Sequence, residues 1–233
     1  MNKHNFCTLF DSNYLIKGLT MIESLYDHCP TAHIYILCLD IKTQKILEKL
    51  KITFITCIPL ENIEDGKLLV AKKNRSQIEY FWTLSACFTW YVLKNYKSID
   101  HITYLDSDLL FFSSVEPIFN EIESSSIAII EHRFTPRFQN LVVNGKFCVE
   151  WVSFRRDKEG IECLTKWREQ CIEWCYYKIE DNRMADQKYL DEWPELYSKL
   201  HIIQHIGSGV APWNYAQYEF SNDNSNNILV NGT

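Results

Sequence analysis

The sequence predicts an α/β protein, with a mostly parallel sheet and helices on both faces, folded as a single compact domain over residues 1–233. Three observations predict this. Short apolar runs alternate with longer segments of helical apolar spacing through the first hundred residues. No internal repeat and no linker-like stretch divides the chain. The composition is 46% hydrophobic, 14% aromatic and 23% charged, which supplies a core and excludes a disordered chain.

Each element has its own signal. Residues 5–10 form an apolar run ended by the turn-prone Asp11-Ser12-Asn13, and Leu15, Leu19, Ile22, Leu25 and Tyr26 give helical spacing over 14–26. A strand over 33–39, a helix over 42–51 and a strand over 52–58 follow. The next helix, 76–95, opens on Ser76-Gln77-Ile78-Glu79, a capping box, and leads to a strand over 102–105. Helices of this length between strands indicate right-handed crossovers. The second half is less regular: strands over 126–131 and 147–154, an aromatic-rich helix over 159–177, and a short helix over 185–193. A turn over 221–227 separates two short strands. Because Asn231-Gly232 signals a hairpin with no strand after it, 228–230 is expected to be an unpaired edge in a mobile tail of a truncated chain.

Charge and cysteine usage exclude several classes. Lys and Arg number 24 against 30 Asp and Glu, a net charge of −6, which argues against nucleic-acid binding. No run approaches the roughly 20 apolar residues of a membrane span, and the start, Met1-Asn2-Lys3, carries no signal-like apolar region. Nine scattered cysteines, an odd number, read as reduced thiols of a cytoplasmic protein rather than a disulfide framework. Cys171 and Cys175, at i and i+4, are either half a metal site or two small core residues.

The candidate chemistry lies at Asp106-Ser107-Asp108, directly after the strand over 102–105. Ligands of open α/β sheets bind beyond the carboxyl ends of strands. Two carboxylates at i and i+2 of extended backbone project to one side and can share Mg²⁺ or Mn²⁺, whose other positions go to water and phosphate oxygens. No G-x-G-x-x-G and no P-loop occurs, so a bound cation is expected to take the phosphate-holding role. An aspartyl-phosphate phosphatase also uses a strand followed by D-x-D. It places that motif after its first strand with Thr or Val two residues on, whereas here three strands precede it and Leu110 stands there.

Four segments in order carry a resemblance: residues 6–15, Ile102-Thr103-Tyr104-Leu105-Asp106-Ser107-Asp108, Ala185-Asp186-Gln187-Lys188-Tyr189-Leu190 and Val210-Ala211-Pro212-Trp213-Asn214. Together they resemble bacterial nucleotide-sugar glycosyltransferases of the GT-A type, a Rossmann-like fold, and are distantly similar to the family 8 retaining enzymes. The resemblance covers nearly the whole chain and implies a nucleotide-binding half over about 1–112 and an acceptor half over about 113–233.

By that resemblance Thr8, Asn13 and Tyr14 hold the nucleoside, with Tyr14 offering a stacking face and Asn13 both a donor and an acceptor. Asp106, with Ser107 beside it, and Asp108 match the metal pair. Asp186 and Gln187 match the pair facing the transferred sugar, Asp186 being alternatively a plain helix cap. His205, followed by Gly207, Pro212 and Trp213, matches a third metal ligand, and a neutral imidazole suits Mn²⁺. Two departures stand out. The phosphate-binding Lys before Pro-Trp is Ala211 here, and Cys148-Val149-Glu150-Trp151 replaces an Asn-Val-Gly-Trp-like segment, implying either a remodelled acceptor site or a lost activity.

The reaction implied is metal-dependent transfer of a sugar from a nucleoside diphosphate, UDP ahead of GDP or dTDP, to a saccharide or lipid-linked hydroxyl acceptor, with retention, in polysaccharide biosynthesis. The alternatives are an inactive nucleotide- or sugar-binding protein and the phosphatase. Trp151, Trp167, Trp174, Trp193 and Trp213 suit sugar stacking or core packing.

Overall fold

The computed structural model describes residues 4–224 and 227–232; Met1–Lys3, Ser225, Asn226 and Thr233, which enter the readings of the two termini, lie outside them. The chain begins β1 (Asn5–Phe10), α1 (Leu15–His28), β2 (His33–Cys38), α2 (Ile41–Leu50) and β3 (Ile55–Pro59). Helices α3 (Gly66–Asn74) and α4 (Gln77–Asn95) lead into β4 (His101–Leu105). There follow α5 (Glu116–Glu121), β5 (Ile127–Glu131), β6 (Phe147–Arg155), α6 (Lys158–Glu173), α7 (Trp193–Leu196), β7 (Leu200–Ile202), β8 (Phe220–Asn222) and β9 (Ile228–Val230).

The main sheet runs β3-β2-β1-β4-β6-β5-β7. β3, β2, β1 and β4 are mutually parallel, β7 is parallel to β5, and β6 is antiparallel to both its neighbours. The strand alternation sorts side chains onto two cores. Cys7, Leu9, Leu37, Tyr104 and Phe154 face α4 and α6, while Phe6, Phe10, Ile36, Leu105 and Trp151 face α1 and α2. Trp151, Trp167, Trp174 and Trp193 are buried, and Trp167 packs 5.7 Å from Trp193 and 6.0 Å from Phe154, so these indoles are core residues.

Local capping explains the helix positions. Asp40, Asp65 and Asp157 accept the amides of Thr43, Leu68 and Gly160 at 2.7–2.9 Å, and Ser76 with Glu79 completes the capping box of α4. Such caps contribute about 1 kcal/mol each. Arg75 donates to the Cys171 and Ile172 carbonyls at 2.7 Å, closing α6 at Glu173. The expected helix over 159–177 therefore stops early, and Cys175 lies beyond it. Cys171 and Cys175 do not share a helix face; both are buried, and all nine cysteines are free.

Other expectations also change. α3 is not among the expected elements, because only its Leu68 and Ala71 are buried and its lysine-rich sequence shows little apolar periodicity beyond the Asp65 cap. Residues 185–193 hold a 3₁₀ turn, Lys188–Glu192, rather than a regular helix. The expected unpaired edge at 228–230 is paired: β9 runs antiparallel to β8, so its partner lies upstream rather than after Gly232.

Candidate active site

A cavity of about 320 Å³ opens beyond the carboxyl ends of β1 and β4. Leu9, Phe10, Asp11, Asn13 and Tyr14 form one wall, and Gln77, Ile78, Phe81, Trp82 and Ser85 of α4 form another. Tyr104, Asp106, Ser107 and Asp108 form the end of the cavity at β4.

The loop after β1 is held by its own carboxylates. Asp11 Oδ1 accepts the amides of Asn13 at 2.9 Å and Tyr14 at 3.2 Å, and its Oδ2 accepts Asn13 Nδ2 at 2.9 Å. Asp40, while capping α2, also accepts the Ser12 amide at 2.8 Å. Gly18 lets α1 lie against Phe10, since a Cβ there would stand 2.6 Å from the ring. Tyr14 is thereby presented 44% exposed at the cavity. Thr8 is placed differently from its expectation. It is fully buried and shares the α1-facing side of β1 with Phe6 and Phe10, away from the cavity lining.

Asp106 and Asp108 line the same cavity, but in a turn after β4 rather than on extended backbone. Tyr104 Oη donates to Asp106 Oδ1 at 3.2 Å, and the Asp106 amide donates to the Glu150 carbonyl at 3.2 Å. Burial pushes the Asp106 carboxyl up to about 6, the charge of Asp108 adds to this, and Tyr104 partly offsets it. Asp108 is exposed, with Lys17 Nζ 3.6 Å from its Oδ2.

Two further carboxyls crowd Asp106. Asp186 is buried; burial and then the charge of Asp106 raise it to about 7, while the Ser85 hydroxyl pulls it partly back. Glu150 is raised to about 7 by burial and by Asp106, with Cys148 and Arg133 opposing. Asp186 is thus a buried acid near Ser85 and not an exposed cap: the 3₁₀ turn starts at Lys188 with Gln187 before it and no side-chain cap. Ala185 before it has φ 48, a left-handed conformation that costs a non-glycine residue on the order of 1 kcal/mol. Gln187 Nε2 donates to the Asn144 carbonyl at 3.0 Å, with Gly145 packed on its side chain.

Glu150 owes its position to a bulge. Ile129 of β5 faces Val152, but Ile130 faces Cys148, leaving residues 149–151 of β6 unmatched on that side. The carboxyl then lies against Gly209, where a Cβ would stand 2.9 Å from Glu150 Oε1 and φ is +69. Glu150 occupies space under that loop and does not line the cavity.

The loop over 203–214 is tied down from within. Arg133 donates to the carbonyls of Ile203, His205 and Ser208, and buried Asn214 donates to those of His132 and Gly209 at 2.8 and 2.7 Å. Asn214 Oδ1 accepts the Ala211 amide at 2.8 Å. His205 Nδ1 is buried with no hydrogen-bond partner among the described residues.

Among the described residues no three His, Cys, Asp or Glu side chains are gathered closely enough to hold an ion, so His205 is not brought together with Asp106 and Asp108. The pair by itself still fits a hard divalent cation. Its donors are carboxylate oxygens at a cavity mouth, and the charge of Asp108 beside Asp106 favours an added cation. Sequence reasoning missed Trp82, Ser85 and Arg133. Ser85 had one available signal, a small polar residue inside the apolar run Leu84-Ser85-Ala86-Cys87 of a helix.

Residues 5–158 match the family model Glycosyl transferase family 8. The chain is 34% identical over 222 residues to "Uncharacterized protein YfnD" of Bacillus subtilis (strain 168), covering 94% of this chain and 71% of that one. The structure of the glycosyltransferase GlyE from Streptococcus pneumoniae TIGR4 superposes with a TM-score of 0.54 at 18% identity, over 88% of this chain. The chain spans less than half, 46%, of GlyE. An active-site glutamine-to-glutamate mutant of LgtC gives the same TM-score at 15% identity, covering 85% of this chain and 72% of LgtC. Among the described residues no helix is long and apolar enough to cross a membrane. The chain is a glycosyltransferase by family: it belongs to glycosyl transferase family 8 and carries a GT-A-like fold.

Proposed function

We propose that this chain transfers a sugar from a nucleoside diphosphate sugar, with UDP the leading nucleotide, to a hydroxyl of a saccharide or lipid-linked acceptor, retaining the anomeric configuration. The observation that carries the reading is the shared cavity: Asn13 and Tyr14 line the same space as Asp106, Ser107 and Asp108. A nucleoside beside Tyr14 points its diphosphate toward the two carboxylates.

Asp106 and Asp108 are the proposed ligands of Mn²⁺ or Mg²⁺, which when bound neutralises charge developing on the leaving diphosphate. His205, on the loop that Arg133 and Asn214 hold in place, is not among the proposed ligands. Tyr104 orients Asp106, and the preset loop over 11–14 binds the nucleoside without further ordering. Gln187 is the proposed counterpart of the LgtC active-site glutamine and lies beside the transferred sugar, with Asp186 behind it. The bond from the anomeric carbon to the diphosphate oxygen breaks with its electron pair on that oxygen. The acceptor oxygen bonds to the carbon on the same face, and its proton passes to the leaving phosphate oxygen. No separate carboxylate base is needed.

The test is a donor screen that reads UDP release with Mn²⁺ and with EDTA. Metal-dependent release supports transfer. Tight nucleotide binding with no release from any donor would favour the binding-protein alternative.

A further inference from the structure

The cavity has a charge imbalance. Asp11, Asp106 and Asp108 line it, and its lining contains no Lys or Arg. A nucleoside diphosphate would bring more negative charge into that space, and one divalent cation neutralises only part of the sum. Among the described residues, the cation paired with a lining side chain is Lys17, in the first turn of α1. Its Nζ lies 3.6 Å from Asp108 Oδ2 and 4.3 Å from the centre of the Tyr14 ring. The ammonium therefore sits between the residue proposed for the nucleoside and the residue proposed for the metal, where a diphosphate must pass.

The pairing with Asp108 is easily given up. Lys17 and Asp108 side chains are 55% and 48% exposed, and exposed pairs of this kind contribute little to stability. An ammonium on a flexible stem can change partners without a fixed bidentate geometry. Arg133, the other cation near the crowded carboxyls, is committed to three carbonyls and cannot serve.

We propose that Lys17 is a binding residue for the donor's diphosphate: its ammonium rests on Asp108 in the metal-free protein and turns to a phosphate oxygen when a divalent cation takes that carboxylate. The inference rests on the nucleotide-sugar reading above and adds to it a residue on α1, far in sequence from the position occupied by Ala211.

Calorimetric titration of the full chain with UDP and with uridine, both in Mn²⁺, tests it on wild type, Lys17→Met and Lys17→Arg. Lys17→Met is expected to weaken UDP binding about tenfold or more, the weight of one charge-assisted contact. Uridine affinity is expected to stay unchanged, and Lys17→Arg to recover part of the UDP affinity. Mn²⁺ alone is expected to bind Lys17→Met more tightly than wild type, because Asp108 is freed. UDP affinity equal in wild type and Lys17→Met overturns the proposal. Equal loss of UDP and uridine binding also overturns it, since Lys17 then shapes the loop rather than meeting phosphate. Wild type that binds neither probe defeats the nucleotide-sugar reading itself, and this inference with it.

Discussion

At the same end of the sheet, two polar regions dispose of their hydrogen-bonding groups in opposite ways. The loop over 203–214 consumes its own: Arg133 and Asn214 fill five of its contacts with backbone groups, and Asn214 is fully buried. The turn after β4 leaves its carboxylates facing a cavity, with one tyrosine hydroxyl on Asp106 and one exposed ammonium on Asp108. The first arrangement maximises the stability of a fixed loop. The second keeps like charges together, which is unfavourable until something positive arrives. That contrast marks the β4 turn as the place built for a ligand.

The largest expected effect breaks the charged side of the comparison. Asp106→Asn or Asp108→Asn should lower metal-dependent UDP release by about 10³-fold, several kcal/mol of lost charge stabilisation. Thermal unfolding should show no loss of Tm, because each change removes repulsion. A variant that retains full activity in EDTA would contradict the assignment.

The pH dependence of stability sharpens the same point. Asp186 and Glu150, both raised to about 7, hold protons in the folded chain that they release in the unfolded one. Their contribution is complete below the ordinary carboxyl range near 4 and is lost as pH rises through about 7. Metal-free protein should therefore unfold at lower temperature at pH 8 than at pH 5, by about 2–3 kcal/mol of stability for each of the two groups. Glu150→Gln should flatten that slope. A Tm that rises from pH 5 to 8 would remove the buried-acid account.

The fixed loop provides the opposite test. Asn214→Ala should destabilise the fold by about 2 kcal/mol, since it strands buried backbone groups, while UDP affinity stays near wild type. Smallest is Gln187→Ala, expected to lower kcat about tenfold with UDP affinity unchanged. An unaltered kcat would return Gln187 to its contact with Asn144 as a purely structural role.

The regular half of the molecule was legible because its signals are local. Alternating runs gave β1 to β4, the capping box gave the start of α4, and an apolar strand ending in D-x-D located the carboxylate pair, though on extended backbone rather than in the turn that carries it. What escaped depends on which neighbour covers a face. Thr8 belongs to the strand that was read correctly, yet its side chain points under α1, and only the packing of Phe10 on Gly18 reveals that. Glu150 was noticed as an odd residue, but the bulge that places it beside Gly209 arises from pairing with β5 and leaves no mark in its own segment. The approach of Asp186 to Ser85 joins positions about a hundred residues apart, beyond any periodicity argument.

The most direct test of the central claim is the Mn²⁺ dependence of UDP affinity in wild type and in Asp108→Asn, measured by calorimetry. The account predicts that wild type binds UDP at least about tenfold more tightly with Mn²⁺ than with EDTA, the weight of one bound cation on a diphosphate. It also predicts that Asp108→Asn loses that difference while keeping its fold. Equal UDP affinity with and without Mn²⁺ in wild type, or an undiminished Mn²⁺ effect in Asp108→Asn, would contradict it.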